Sequence, residues 1–172
     1  KIYNPKNITK KINTFLKSNN SKIGIGPYGE KRIIYKGSNY LSLLNQKISR
    51  DTHLGIDIFT NVNQEIFSPI NGKVVILKNN SNKFDYGPTV VLEHNITKKI
   101  RFYTLYGHLS KTCLTNLSLW QKVSRGELIG KIGNFPINGN WSPHVHFQII
   151  IDLMEEKDNF YGVAEEILFS LW

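Results

Sequence analysis

The segment His144-Val145-His146-Phe147-Gln148-Ile149-Ile150-Ile151 restricts the fold of this chain more than any other feature. Side chains of an extended strand point to opposite faces at every step. Val145, Phe147, Ile149 and Ile151 therefore share one face, and His144, His146 and Gln148 share the other. A strand with one buried face reads this way. Shorter candidates precede it at 55–59, 72–78, 89–94, 101–106 and 128–132, separated by Asn79-Asn80-Ser81-Asn82, by Asn95 and by residues 134–143. Evenly spaced short strands predict an all-β antiparallel sandwich or partly open barrel.

The flanks read differently. Ile8, Ile12, Phe15 and Leu16 form one helical stripe, with Pro5 near its start and Asn19-Asn20-Ser21 at its end, which predicts a short N-terminal helix. Residues 24–51 mix Gly, Tyr and Ile with strand-like pieces such as Arg32-Ile33-Ile34-Tyr35, and read as an irregular entry. The expected organisation is an entry over 1–50, a β domain over 51–151 and a C-terminal tail over 152–172. The amphipathic stretch 163–172 is expected either to pack back as a helix or to lead into a further domain.

Four of the five histidines fall in three short motifs: His53-Leu54-Gly55-Ile56-Asp57, Tyr106-Gly107-His108-Leu109-Ser110 and His144-Val145-His146-Phe147. Neutral imidazoles plus one carboxylate, with a position left for water, suit zinc. In extended backbone, residues two or four apart share a face, so His53 can converge with Asp57, and His144 with His146. His53, Asp57 and one histidine of the His-x-His pair meet the need. His94, in Leu92-Glu93-His94-Asn95, has no motif partner and reads as a surface strand-end residue. Arg50, three residues before His53, is expected to face a substrate carboxylate or pair with an acid of the domain.

Together these motifs resemble the lysostaphin/LytM-type zinc endopeptidases. That family carries His-x-x-x-Asp, Tyr-x-His-Leu and His-x-His-Phe in this order. The likeness extends to Phe67-Ser68-Pro69-Ile70-Asn71-Gly72-Lys73-Val74 and Gly126-Glu127-Leu128-Ile129-Gly130-Lys131-Ile132-Gly133, and covers roughly residues 50–151. It implies a LytM-type β fold, zinc held by His53, Asp57 and His146, and His108 and His144 as the non-ligand pair that moves a proton and stabilises an oxyanion. It implies bacterial peptidoglycan peptides as substrate, and so a cell-envelope location. Tyr106, two residues before His108 and on the same strand face, is expected near the oxyanion, and Asn140 and Trp141 along the substrate groove. Asp85-Tyr86-Gly87-Pro88-Thr89, Arg101-Phe102-Tyr103-Thr104-Leu105-Tyr106-Gly107-His108 and Asn138-Gly139-Asn140-Trp141-Ser142-Pro143-His144 look most like a subfamily. Its domain lies between a kinase-like phosphotransferase and a class III aminotransferase. That likeness implies a second reading, a cytoplasmic hydrolase of a small peptide or amide. A third is a non-catalytic activator domain, against which the complete set of five residues argues.

Composition sets the outer bounds. With 172 residues, 40% of them hydrophobic, the chain can build one domain with a proper core. A single cysteine, Cys113, excludes an internal disulfide framework and a thiolate metal site, and reads as a half-buried thiol. The net charge of +9 favours anionic partners, but no basic helix, zinc finger or stacked-aromatic signature accompanies it, so no nucleic-acid role is expected. No run of about 18 apolar residues predicts a membrane span, and no signal-peptide pattern is present. A first residue of lysine fits a mature form or a piece of a longer protein.

Overall fold

The structure, a computed structural model, describes residues 3–32, 49–97 and 99–171. Helix α1 (Pro5–Ser18) forms where the apolar stripe placed it. The Asn4 side chain caps it by accepting from the Asn7 amide at 3.2 Å, and Pro5 stands in the first turn, where a missing N–H costs nothing.

The chain then runs through β1 (Gly24–Gly26), β2 (Thr52–His53), β3 (Ile56–Phe59), β4 (Glu65–Phe67), β5 (Gly72–Asn80), β6 (Gly87–Asn95) and β7 (Arg101–Gly107) to a short helix α2 (Thr112–Asn116). It continues through β8 (Lys122–Val123), β9 (Leu128–Lys131), β10 (His144–Ile150) and β11 (Val163–Ala164) to a 3₁₀ turn, Glu166–Leu171. Among the described residues, seven strands make one sheet in the order β1-β3-β10-β7-β6-β5-β8, and every pairing in it is antiparallel. Two small pairs, β11 with β2 and β4 with β9, complete the antiparallel β fold that the spacing predicted.

Alternation along the long strands builds a core on each face of the sheet. Val74, Val90, Leu92, Tyr106 and Val145 pack against Leu109, Cys113, Ile129 and Ile132 on one side. Ile76, Val91, Leu105 and Ile150 pack against Tyr86 and Phe160 on the other. Cys113 is fully covered rather than half-buried, and burial pushes its thiol up to about 12. The topology matters most at β10, which lies between β3 and β7. Its register sets His146 opposite Asp57 on one neighbour and opposite Gly107 on the other, so motifs distant in sequence meet on one face.

Three expectations change. Part of the irregular entry is a strand: Gly24–Gly26 pairs with β3 at the sheet edge, too short to show a period. The strand-like piece at 32–35 lies, beyond Arg32, outside the described residues. The stretch at 163–172 does not begin as a helix, because Val163 and Ala164 pair with His53 and Thr52. His94 is not a surface residue. It follows Val90 and Leu92 into the sheet face and is 1% exposed, with Nδ1 2.8 Å from the Asn71 carbonyl and Nε2 2.7 Å from the Thr104 hydroxyl. Polar neighbours in sequence hid an inward position that strand parity would have assigned.

Candidate metal and catalytic centre

The site starts from a bend. His53 ends β2 and Asp57 lies in β3, and Leu54-Gly55 breaks the chain between them, so the two do not share one extended segment. The two side chains converge because the chain turns at Gly55. A Cβ on Gly55 would lie 2.6 Å from the His146 ring, so only glycine admits the imidazole there.

Three donor atoms meet. His53 Nε2 lies 3.2 Å from Asp57 Oδ1, His146 Nδ1 lies 3.1 Å from the same oxygen, and the two nitrogens face each other at 2.9 Å. All three residues are buried. Bonds of about 2.0–2.1 Å at tetrahedral angles put donors about 3.3 Å apart, so the triangle matches zinc.

Proton positions strengthen the match. His53 Nδ1 lies 3.1 Å from the Pro27 carbonyl, which can only accept, so this nitrogen carries the proton and Nε2 offers a lone pair. Gln148 donates its amide to the Tyr161 carbonyl at 3.1 Å, which turns Oε1 toward His146 Nε2, also at 3.1 Å. His146 therefore holds its proton on Nε2 and presents Nδ1. Two lone pairs and a carboxylate oxygen then face one another with no proton between them, an arrangement that a cation completes.

The second pair is anchored the same way. His108 Nδ1 donates to the Asn138 carbonyl at 2.9 Å and His144 Nδ1 donates to the Ser142 carbonyl at 2.6 Å, leaving both Nε2 atoms for chemistry. The two rings are 4.3 Å apart between centroids, and His144 Nε2 is 3.6 Å from Asp57 Oδ1. Phe59 stacks on His144 at 4.8 Å. His108 has a φ of 62°, an uncommon conformation for a non-glycine residue, held by its amide donating to the Tyr86 carbonyl at 2.7 Å.

Beside these residues opens a cavity of about 720 Å³, lined by His108, His146, Tyr86, Trp141, Arg50 and Tyr161 among others. The Tyr86 hydroxyl is 3.5 Å from His146 Nε2, and a Cβ on Gly107 would collide with the Tyr86 ring at 2.4 Å. Trp141 is buried against the loop, its Nε1 donating to the Asp85 carbonyl at 3.1 Å, yet its ring also lines the cavity. Arg50 lies over the Tyr161 ring at 5.5 Å. Asn140, with a φ of 70°, shapes the loop but is not among the lining residues.

Tyr106 does not reach the centre. It pairs across the sheet with Phe147, on the face away from His146, and its hydroxyl lies 3.1 Å from Thr104 Oγ1 in the core, where burial raises it to about 12. The expectation that it shares a face with His108 fails because β7 ends at Gly107 and the left-handed turn at His108 breaks the alternation. Sequence reasoning also missed Arg32, Tyr86, Asn138 and Gln148. For Gln148 a signal existed, since it follows His144 and His146 at every second position.

Charge in this centre is set by burial. Desolvation, reinforced by the His144 imidazole, holds His108 well below its usual range, and desolvation lowers His144 as well. Desolvation works against the Asp57 carboxylate, but the His144 imidazole, once charged in acid, outweighs it and holds Asp57 well below 3.8. Unfolded histidines take up protons near about 6.5, whereas His108 and His144 stay neutral to lower pH in the fold, so the unfolded chain binds more protons as the pH falls. Stability of chelator-treated protein is therefore expected to be level above about pH 7, to fall below about 6.5, and to fall further below about 4 as Asp57 joins. Thermal midpoints from pH 8 to 3.5 check this, and a midpoint that rises on acidification contradicts it.

The model of Peptidase family M23 matches residues 51–158. No curated protein matches the chain. In fold it is similar to the catalytic domain of the antimicrobial peptidase lysostaphin from Staphylococcus simulans, at 24% identity and a TM-score of 0.56, over 88% of this chain and 92% of that one. A longer lysostaphin chain from the same organism matches at 19% identity and a TM-score of 0.52, over 85% of this chain and 49% of that one. A zinc-containing peptidase from Vibrio cholerae matches at 24% identity and a TM-score of 0.49, over 74% of this chain and 32% of that one.

Proposed function

Because the chain belongs to peptidase family M23, we propose that it is a zinc-dependent endopeptidase that hydrolyses peptide bonds of bacterial peptidoglycan. The observation that carries the reading is the triangle of His53 Nε2, Asp57 Oδ1 and His146 Nδ1, each proton turned outward. Zinc bound there supplies a Lewis acid that activates water and polarises a carbonyl. The remaining work falls to the chain. His108 and His144, neutral and with a lone pair on Nε2, accept the proton from water, and the imidazolium so formed then donates from Nε2 to the developing oxyanion or returns the proton to the leaving amine. The main-chain carbonyls of Asn138 and Ser142 hold both rings in the tautomer this requires. Trp141 and Tyr86 line the space where the peptide would lie.

The net charge of +9 suits an anionic wall polymer and, with it, a location in the cell envelope. No helix among the described residues is long and apolar enough to cross a membrane. A second reading, a small peptide or amide handled within a multidomain cytoplasmic enzyme, draws on the subfamily resemblance. The C-terminal segment Phe160-Tyr161-Gly162-Val163 walls one side of the cavity and favours a short substrate.

Incubating zinc-loaded protein with purified sacculi of several cross-link chemistries separates the two. Newly exposed amines, read by mass spectrometry, are the expected result. No product from any sacculus, with zinc demonstrably bound, overturns the wall substrate in favour of the short one.

A further inference from the structure

We propose that Arg32, from the segment ahead of the β domain, is a positioning residue for the carboxylate of the metal centre. The proposal rests on the reading of His53, Asp57 and His146 as zinc ligands. Arg32 Nη1 donates to Asp57 Oδ2 at 2.6 Å, while its Nε donates to Glu30 Oε2 at 2.8 Å. The other oxygen of the same carboxylate, Oδ1, is the one within 3.1–3.6 Å of the three imidazoles. The two oxygens of Asp57 thus have separate tasks.

The placement is built in from several sides. Gly26 stands opposite Asp57 in the β1–β3 register, and a Cβ there would lie 2.8 Å from Arg32 Nη2, so the guanidinium occupies the room that glycine leaves. The Arg32 amide donates to the Asp51 carbonyl at 2.8 Å and the His53 amide donates to the Glu30 carbonyl at 2.9 Å. The backbone carrying Arg32 is therefore tied to the backbone carrying the first ligand. Side-chain exposure is 15% for Arg32 and 3% for Asp57, so the pair is shielded from solvent.

A carboxylate free at both oxygens can swing between one-oxygen and two-oxygen ligation. With Oδ2 held by a guanidinium, Asp57 offers Oδ1 alone, and a coordination position stays open for water. The cation also balances the buried carboxylate before the metal arrives, when an isolated charge would be costly. Partners of this kind orient ligands, and their loss typically lowers metal affinity about 10–100-fold.

Competition of the whole chain against a chromophoric chelator, together with absorption spectra of the cobalt-substituted protein, tests the role without reference to turnover. R32Q is expected to bind zinc about 10–100-fold more weakly than the wild type. Its cobalt bands should weaken toward a higher coordination number as Asp57 engages through both oxygens. R32K, which keeps a cation near Oδ2, is expected to recover part of the affinity. Zinc affinity and cobalt spectra unchanged in R32Q would overturn the assignment, as would tighter zinc binding. If circular dichroism shows R32Q unfolded, G26A decides, since its methyl displaces the guanidinium without removing it. Weakened binding in G26A supports the role and unchanged binding overturns it. Wild-type protein that binds neither metal would instead overturn the zinc reading on which the proposal rests.

Discussion

Replacing His146 by alanine is expected to abolish both zinc binding and hydrolysis. The imidazole supplies one of three donor atoms, and its ring fills the space left by Gly55, so removal deletes a ligand and opens a void beside the other two. The loss in rate should exceed the roughly 10²–10⁴-fold of a missing acid–base group, because the Lewis acid itself departs. Elemental analysis and turnover of a peptide substrate check both halves. One zinc per chain in the purified variant would remove His146 from the ligand set.

His108→Ala and His144→Ala are expected to behave differently from His146→Ala and like each other. Each should keep stoichiometric zinc and lose about 10²–10⁴-fold in kcat, roughly 3–5 kcal/mol of transition-state stabilisation. The separation follows from the anchoring, because neither ring supplies a corner of the donor triangle and both direct Nε2 into the centre from carbonyl-held Nδ1 atoms. Metal content and kcat measured on the same preparations test it. A variant that cleaves at the wild-type rate would lose its assigned role.

The alternation of 144–151 placed β10 and its polar face correctly, and the antiparallel β class followed from strand spacing. Local periodicity reports which way a side chain points while the backbone stays extended, and it fails where the backbone turns. Parity puts Tyr106 on the wrong face because the count runs through His108, whose φ is 62°. His53 and Asp57 converge as their spacing suggests, but a bend joins two strands where the spacing implies one. His94 shows the opposite failure, since its polar neighbours outweighed a parity that pointed inward. Arg32, Tyr86 and Asn138 left no local trace. Arg32 reaches Asp57 across 25 positions and Asn138 reaches His108 across 30, and only the assembled sheet sets those distances.

Three of the four imidazoles in the centre are oriented by main-chain oxygens, those of Pro27, Asn138 and Ser142. A carbonyl is the one acceptor that every amino acid brings, so the chemistry at these contacts does not depend on which residue supplies it. What must persist is the path of the backbone. Selection then acts on loop length and turn shape, which at 133–141 the buried Asn138 side chain holds through the Gly133 and Trp141 backbone. Insertions or deletions in 134–143 should disable the centre where substitutions of its exposed residues, Asn134, Pro136 and Ile137, leave it working, and a sequence can diverge far from its relatives while the imidazoles keep their aim.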